Sequence, residues 1–188
     1  MAYATLDQLT SYLGIDESYD DDSLLSSLLA RAQAAIDSYT RRTFEAAEDT
    51  TRYHNADYIS AQLLMLDGDC CAVTAVANGS GAIIPAAEYR SLPRNRTPFY
   101  ALQLEPTGSL AWDADGDGIA VTGRWAYSVS APADVTHACI RLAAWFYRQK
   151  DNTGLDAPMI SGSVTILPVR LPADVAETLK PYRRVLAL

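Results

Sequence analysis

Apolar residues recur at three- and four-residue spacing near both ends of the chain, which is the pattern of amphipathic helices. Near the start, Thr5 and Gln8 have the types and spacing of a capping box, in which each side chain bonds the backbone of the other residue. Gly14 follows the last apolar position and is typical of a helix C-terminus. The pattern predicts a short first helix between Thr5 and Gly14.

A second helix of about 20 residues is the clearest predicted element. It begins after Asp20, Asp21 and Asp22 and closes with Arg41 and Arg42. Acids at the first turn and bases at the last turn have the signs that the helix dipole favours. The apolar stripe of this helix consists of Leu25, Leu28, Leu29, Ala32, Ile36 and Tyr39. We expect the stripe to be buried in a core.

Two further helices are predicted towards the C-terminus. Each starts with the same tetrapeptide, Pro-Ala-Asp-Val, once at Pro132 and once at Pro172. Proline and aspartate are both accepted in the first turn of a helix, so the repeat indicates shared capping chemistry and not a duplicated domain. A loop over residues 151–162 and a β-prone segment, Val164–Val169, separate the two helices.

Between residues 51 and 130, short β-prone runs alternate with turn residues. The runs are Gln62–Leu66, Ala72–Ala77, Ala82–Ile84, Tyr100–Leu104 and Ile119–Tyr127, and the breaks between them include residues 67–69, 78–81, 92–95 and 113–118. Strands joined this tightly predict a small antiparallel sheet or sandwich. The predicted fold class is therefore α+β, a bundle of about four helices formed by residues 1–50 and 131–188, with residues 51–130 as a β-rich insertion.

The composition is that of a globular protein, with 49% hydrophobic and 20% charged residues among 188. No run of apolar residues reaches the length of about 18 to 20 that a membrane helix needs. The N-terminus lacks the basic and apolar regions of a secretory signal, which indicates synthesis and residence in a cytoplasm.

The formal charge of −8 argues against DNA binding by bulk electrostatics, because a duplex attracts basic surfaces. The charge is also unevenly distributed. Residues 1–50 hold ten acids and three bases, whereas residues 132–188 hold five acids and seven bases. An acidic front and a basic back suit either an internal pairing of helices or a head-to-tail contact between copies, and the sequence leaves both open.

The candidate metal and catalytic motifs are weak. Residues 113–118 resemble the first half of a calcium loop, but Arg124 stands where a bidentate glutamate is needed, so a tight turn is predicted and a weak cation site is the alternative. His54 and His137 have no cysteine at metal-ligand spacing, and Cys70-Cys71 is interpreted as a pair of buried thiols. No nucleophile elbow, phosphate loop or dinucleotide motif occurs. The sequence therefore predicts no enzyme, no metal and no cofactor.

A basic segment near the C-terminus is the candidate for partner contact. Tyr182, Arg183 and Arg184, with Lys180 before them, have side chains that can bind a phosphate or a partner's carboxylate. They equally suit an exposed helix end that completes its dipole.

The order of these parts resembles the head–tail connector (adaptor) family of tailed bacteriophages and gene-transfer particles. The residues that carry the resemblance are Tyr3–Leu9, Asp20–Ser23, Ile36–Phe44, Gly123–Tyr127, Pro132–Val135, Ala143–Arg148 and Leu171–Arg184. They span nearly the whole chain in order, and the large β insertion is the part that departs from the mostly helical minimal members.

The resemblance implies a structural subunit of the virion neck. It implies a homo-oligomeric ring, usually a dodecamer, docked beneath the portal protein and offering a platform to a stopper, neck or tail protein, with DNA passing through the lumen without sequence-specific binding. The complementary acidic and basic ends make Asp20, Asp21, Asp22, Arg41 and Arg42 candidates for channel or inter-subunit contacts.

An alternative is a baseplate or accessory virion protein whose β insertion binds a carbohydrate or a host surface. Exposure of the aromatic residues of the insertion would favour this alternative, and their burial would favour the connector. The aromatics concerned are Tyr53, Tyr58, Tyr89, Tyr100 and Trp112.

Overall fold

A computed structural model describes residues 2–15, 22–149 and 171–184, and these residues form two compact units. The helical unit comprises Ala2–Arg41 and the described residues from Pro132 onward, and the β unit comprises Arg42–Ala131. Over the described residues the helical unit has four α-helices and the β unit has two antiparallel sheets. The predicted α+β class is confirmed.

The helical unit is built around its long second helix. Its helices are α1 (Leu6–Leu13), α2 (Asp22–Thr40), α3 (Ala133–Gln149) and α4 (Ala173–Leu179). The predicted stripe of α2 is buried from Leu25 to Ile36, and Tyr39 is half-buried. Helix α3 contributes Val135, Ala138, Cys139, Leu142, Ala143 and Phe146 to the same kind of apolar face. Burial of these stripes stabilises helices that would be marginal in isolation.

The ends of α1 have the predicted capping geometry. The Gln8 backbone N–H donates to Thr5 Oγ1 at 3.2 Å, and the Thr5 backbone N–H donates to Gln8 Oε1 at 2.8 Å. At the other end Gly14 has a φ of 69°, a left-handed conformation that residues with a Cβ adopt at a cost. Both ends of the helix therefore follow from the local sequence.

Seven strands form the two sheets of the β unit in the described part of the chain. They are β1 (Thr50–His54), β2 (Ile59–Ser60), β3 (Leu63–Cys70), β4 (Ala72–Ala77), β5 (Tyr89–Leu92), β6 (Phe99–Leu104) and β7 (Ile119–Arg124). The three-stranded sheet has the order β1-β7-β4 and the four-stranded sheet the order β2-β3-β6-β5. One core is shared by both sheets and includes Leu64, Val76, Leu102, Leu104, Ile119, Val121, Trp112 and Trp125.

Several strand boundaries differ from the sequence prediction. The predicted break at residues 67–69 lies inside β3, where an irregular register between Met65 and Cys70 absorbs the glycine. The predicted run Ala82–Ile84 has no strand of its own and meets β4 through a bridge between Ala77 and Ile83. Strand β7 ends at Arg124, before the predicted end at Tyr127, and the buried Trp125 side chain then donates through Nε1 to the Thr50 carbonyl at 2.9 Å.

Strands β1, β2 and β5 are absent from the sequence prediction. Strand β1 is mostly exposed and polar, and β5 is half-buried at every position, so neither shows the alternation that marks a strand. The β-prone segment Val164–Val169 and the loop over residues 151–162 lie outside the described residues.

Candidate assembly surfaces

A basic cluster forms where α2 ends. The Arg184 backbone N–H donates to the Thr40 carbonyl at 2.8 Å, which places the segment after α4 beside the last residue of α2. The Arg183 guanidinium stacks over the Tyr39 ring with 5.2 Å between the guanidinium carbon and the ring centroid. Arg41 follows directly and is exposed. The structure thus brings together two predicted groups of residues that are about 140 positions apart in sequence.

Tyr182 and Lys180 make local contacts beside this cluster. The Tyr182 hydroxyl donates to the Asp134 carboxylate at 3.4 Å, which ties the last described turn to the start of α3. Lys180 Nζ lies 3.4 Å from the Glu177 carboxylate, with both side chains more than half exposed. An exposed pair of this kind contributes little to stability, so the Lys180 ammonium remains accessible to a partner.

The opposite end of α2 is acidic. Asp22 is the first residue of the helix and is exposed, whereas Asp20 and Asp21 lie outside the described residues. The 19 residues of α2 span about 27 Å. The helical unit therefore carries negative charge at one end of its long helix and positive charge at the other.

Arg42 belongs to the β unit and differs from Arg41 in its surroundings. Arg42 Nη1 lies 2.6 Å from Asp69 Oδ2, and only 18% and 14% of the two side chains are exposed. The same guanidinium stacks over the Tyr127 ring at 5.5 Å. Arg42 thus holds the start of the β unit against β3.

The aromatic residues of the β unit divide between surface and core. Tyr53, Tyr58 and Tyr100 are exposed by 62%, 37% and 52%, whereas Trp112 is buried and Tyr89 half-buried. Trp112 Nε1 donates to the Gln62 carbonyl at 2.8 Å, which fixes it in the core. Three of the five aromatics are thus exposed, which favours binding of a carbohydrate or host surface, and two are buried or half-buried, which favours the connector.

An uncharged row crosses the outer face of the three-stranded sheet. Tyr53 pairs with Ala120, Ala120 with Ala77, and Ala77 with Ile83, so the four side chains lie on one face. Ile83 is 76% exposed. The row therefore has an exposed tyrosine at one side and an exposed isoleucine at the other.

The acidic segment at residues 113–118 is a turn ahead of β7. The Asp115 backbone N–H donates to Asp113 Oδ1 at 3.0 Å, and Gly116 and Gly118 have φ values of 67° and 84°. Over residues 2–15, 22–149 and 171–184, no group of three or more His, Cys, Asp or Glu side chains is placed to hold a metal ion.

All three cysteines are buried as free thiols. Burial raises the pKa of Cys70 to about 11 and that of Cys139 to about 12. At neutral pH such thiols carry almost no thiolate, which is the reactive form. The interpretation of Cys70 and Cys71 as buried thiols agrees with this geometry.

Comparison with known proteins identifies the relatives of the chain. Residues 3–66 match a family model described as Phage gp6-like head-tail connector protein. The resemblance to head–tail connectors is confirmed. The match spans α1, α2 and the first strands, so it includes the acidic end of α2, Arg41 and Arg42. No curated protein matches the chain.

Solved structures from gene transfer agent (GTA) particles share the fold. A chain from the neck of an empty GTA particle computed with C6 symmetry is 18% identical, with a TM-score of 0.63. A chain from the virion of a native GTA particle is 19% identical, with a TM-score of 0.61, and one from the neck of a native GTA particle computed with C12 symmetry is 18% identical, with a TM-score of 0.60. Each similarity covers 97% of this chain and 90% of the other. The shared fold therefore includes both units. Over the described residues, no helix combines the length and apolarity needed to cross a bilayer.

Proposed function

We propose that the chain is a structural head–tail connector subunit in the neck of a tailed phage or phage-like particle. Its helical unit is the connector core and its β unit is an insertion into that core. The carrying observation is the match of residues 3–66 to the head–tail connector family, joined to a fold shared over 97% of the chain with proteins of GTA particles.

In this proposal the chain works as a ring, a dodecamer, docked beneath the portal protein. A ring requires a head-to-tail interface in which two different surfaces of each subunit meet. The acidic and basic ends of α2 support such an arrangement, because they offer opposite charges about 27 Å apart on one rigid element. The basic cluster of Arg41, Lys180, Arg183 and Arg184 is the surface that we assign to a portal, stopper or neighbouring subunit.

The proposed role requires no chemistry from the chain itself. The ring extends the DNA channel, and an acidic lumen lets DNA slide because it offers the phosphates no strong attraction. We assign Asp20, Asp21 and Asp22 to the lumen or to the contact between subunits. Reversal of their charges is expected to impair DNA packaging, retention or ejection, and unchanged behaviour in all three would argue against the assignment.

Assembly on the portal tests the proposal directly. The purified full-length protein is mixed with its portal rings and viewed by negative-stain electron microscopy, and purified particles are analysed by mass spectrometry for the chain. We expect an added ring of density beneath the portal and the chain in the particles. Its absence from both would overturn the function.

Paired variants test the assigned surface. Arg41→Glu with Arg183→Glu is expected to reduce portal-bound rings, whereas Arg148→Glu, a single reversal of an exposed arginine at the end of α3, is the control. Equal loss in both variants would indicate a nonspecific charge effect and would remove the assignment of the basic cluster.

A second candidate function is recognition of a carbohydrate or host surface by the β unit. The exposed Tyr53 and Ile83 on the outer face of the three-stranded sheet favour it, since aromatic and aliphatic side chains supply contact area at low entropic cost. Tyr53→Ser with Ile83→Ser is expected to abolish adsorption of particles to host cells under this reading and to leave it intact if the face serves only neck assembly.

A further inference from the structure

The arginines of the β unit fall into two groups. Four of them form ion pairs within the unit, namely Arg42 with Asp69, Arg52 with Asp67, Arg90 with Glu105 and Arg124 with Asp49. The other two, Arg94 and Arg96, are exposed and form no ion pair with any residue that the structure describes. Arg94 and Arg96 are therefore the two arginines of the β unit whose charge has no ionic partner among the described residues.

Arg94 and Arg96 stand in one loop, which we call the basic loop (Pro93–Pro98). It joins β5 to β6, and Phe99, the first residue after it, pairs with Cys70 at the end of β3. The basic loop therefore projects from the end of the β unit at which β3 finishes. No acidic residue occurs within the loop, so its two charges add.

A second loop, which we call the acidic turn (Asp113–Gly118), carries negative charge where the basic loop carries positive charge. Asp115 and Asp117 are exposed, and with Asp113 they form no ion pair within residues 22–149 or the other described segments. The turn is fixed on the residues after β4, since the Gly79 backbone N–H donates to the Asp113 carbonyl at 2.7 Å. A Cβ on Gly79 would collide with the Asp115 carbonyl, so the close approach requires glycine there.

The two loops lie at opposite ends of β3. Trp112, which precedes the acidic turn, bonds the Gln62 carbonyl beside the start of β3, whereas the basic loop adjoins Cys70 at its end. The eight residues of β3 span about 23 Å. The basic loop and the acidic turn therefore lie at opposite ends of the β unit, separated by about the length of β3.

We propose that the basic loop of one copy of this chain docks against the acidic turn of the next copy. The inference rests on the proposed ring and assigns part of its subunit contact to the β insertion. Two complementary surfaces on different ends of one unit are what a head-to-tail interface needs. A second copy fits better than DNA, because the chain supplies the matching carboxylates itself and its net charge of −8 opposes a duplex.

The contact between loop and turn determines how one subunit is oriented against the next, and it contributes little to the strength of their binding. Each exposed ion pair contributes little to affinity and is screened by salt. Complementary charges instead steer the encounter and disfavour wrong orientations. The docking of loop to turn is thus expected to weaken as salt rises, while the individual subunit stays folded.

Charge reversal of each loop tests the pairing. The loop-reversed variant carries Arg94→Glu and Arg96→Glu, the turn-reversed variant carries Asp115→Arg and Asp117→Arg, and Glu48→Arg changes an exposed acid elsewhere on the β unit as the control. Ring formation by the full-length protein on isolated portal rings is counted by negative-stain electron microscopy, and circular dichroism verifies the fold of each variant.

We expect each reversed variant alone to form at least about tenfold fewer rings than the native protein, because like charges then meet at every contact. An equimolar mixture of the two is expected to recover rings, since glutamates of one variant face arginines of the other in alternation. The control is expected to assemble normally. Normal assembly by either reversed variant alone, or no recovery in the mixture, would overturn the inference.

The same experiment separates this inference from the proposed function. If the native protein forms rings and both reversed variants do too, the connector function stands and only the contact of loop with turn is lost. If the native protein forms no ring on the portal, both fail. If only the loop-reversed variant is impaired and it alone loses binding to a short labelled DNA duplex, the basic loop serves DNA, and the docking between copies is overturned.

Discussion

The Tyr3 hydroxyl donates a hydrogen bond of 2.5 Å to Oδ1 of Asp37, a residue 34 positions further along the chain. Tyr3 precedes α1 and is almost fully buried, and Asp37 stands in the last turns of α2. The bond therefore ties the start of the chain to the far half of the long helix. It also acts on Asp37 itself, because burial raises the pKa of that carboxyl and the bond from Tyr3 opposes the rise.

Tyr3→Phe removes the hydroxyl and keeps the buried ring. We expect it to lower the free energy of unfolding of the helical unit by about 1.5–3 kcal/mol, the usual range for a hydrogen bond to a charged partner. Urea denaturation followed by circular dichroism at the helical band measures the loss. Tyr12→Phe is the matched control, since the Tyr12 side chain is partly exposed; equal losses in both would argue against a special role for Tyr3.

The raised pKa of Asp37 makes the helical unit sensitive to pH in a definite direction. The folded state holds this proton more tightly than the unfolded state, so the stability gained from protonation is complete below the unfolded pKa and lost as pH rises through the raised folded pKa. Asp37→Asn removes the titration. The free energy of unfolding of the native protein, relative to that of Asp37→Asn, should therefore increase as the pH is lowered from 7 to 4.

Urea denaturation of both proteins across this range, followed at the helical band, provides the measurement. A difference that stays constant with pH, or that moves against the native protein as the solution is acidified, would contradict the assignment of the shift to Asp37.

Because of His54, we expect the β unit to lose stability as the pH falls, which is opposite to the effect of Asp37 on the helical unit. Its side chain is fully buried and stacks on Trp125 with 5.7 Å between ring centroids. Burial lowers the pKa of His54, although the Asp67 carboxylate, 3.6 Å from Nε2, acts to raise it. A depressed folded pKa contributes stability that is present above the unfolded value, near 6.5, and lost as pH falls.

We therefore expect the native β unit to lose stability relative to His54→Gln as pH falls from 7.5 to 5. Glutamine is neutral throughout, and it can accept the bond that the Asp67 backbone N–H donates to His54 Nε2 at 3.4 Å. Trp145 lies in α3 of the helical unit, so both proteins also carry Trp145→Phe, and urea denaturation followed by tryptophan fluorescence then reports on the β unit through Trp112 and Trp125. A difference that is independent of pH would contradict the prediction.

The helical unit was accessible from sequence because its signals are local. The capping box of Thr5 and Gln8, the glycine at position 14 and the stripe from Leu25 to Ile36 each act within a few residues, and each has the predicted geometry. The β unit depends on pairings between distant residues. Strand β1 pairs with β7 about 70 positions away, and its exposed sequence gives no sign of that partner.

The candidate surfaces show the same limit. Sequence reasoning selected Arg41 and Arg42 as a pair, but Arg42 is held by Asp69, a residue 27 positions away that no local pattern connects to it. It also passed over Arg94 and Arg96. The sequence shows two arginines in a short loop between predicted strands. They become candidates for a contact only once the structure shows that the four remaining arginines of the β unit are each paired with a carboxylate.

The three thiols are expected to be inert in the folded protein. Burial raises the pKa of Cys70 to about 11 and of Cys139 to about 12, and it raises the pKa of Cys71 in the same direction. Because the thiolate is the nucleophile, reaction with a disulfide reagent at pH 8 should be slow until the protein unfolds. In denaturant all three thiols should become accessible and react with the reagent. A thiol that reacts fully within the mixing time of the native protein would contradict this.

The ion pair of Arg42 with Asp69 is expected to stabilise the β unit more than its exposed counterparts do. Arg42→Gln leaves a mostly buried carboxylate without its cation and removes the stacking on Tyr127, so we expect a loss of about 3 kcal/mol in the free energy of unfolding. Arg124→Gln is the control, because its pair with Asp49 is more than one-third exposed and is expected to contribute less than about 1 kcal/mol. Denaturation followed by tryptophan fluorescence, with Trp145→Phe present in every protein, compares the two. Equal losses would mean that burial does not distinguish these pairs, since the charge removed is the same in both variants.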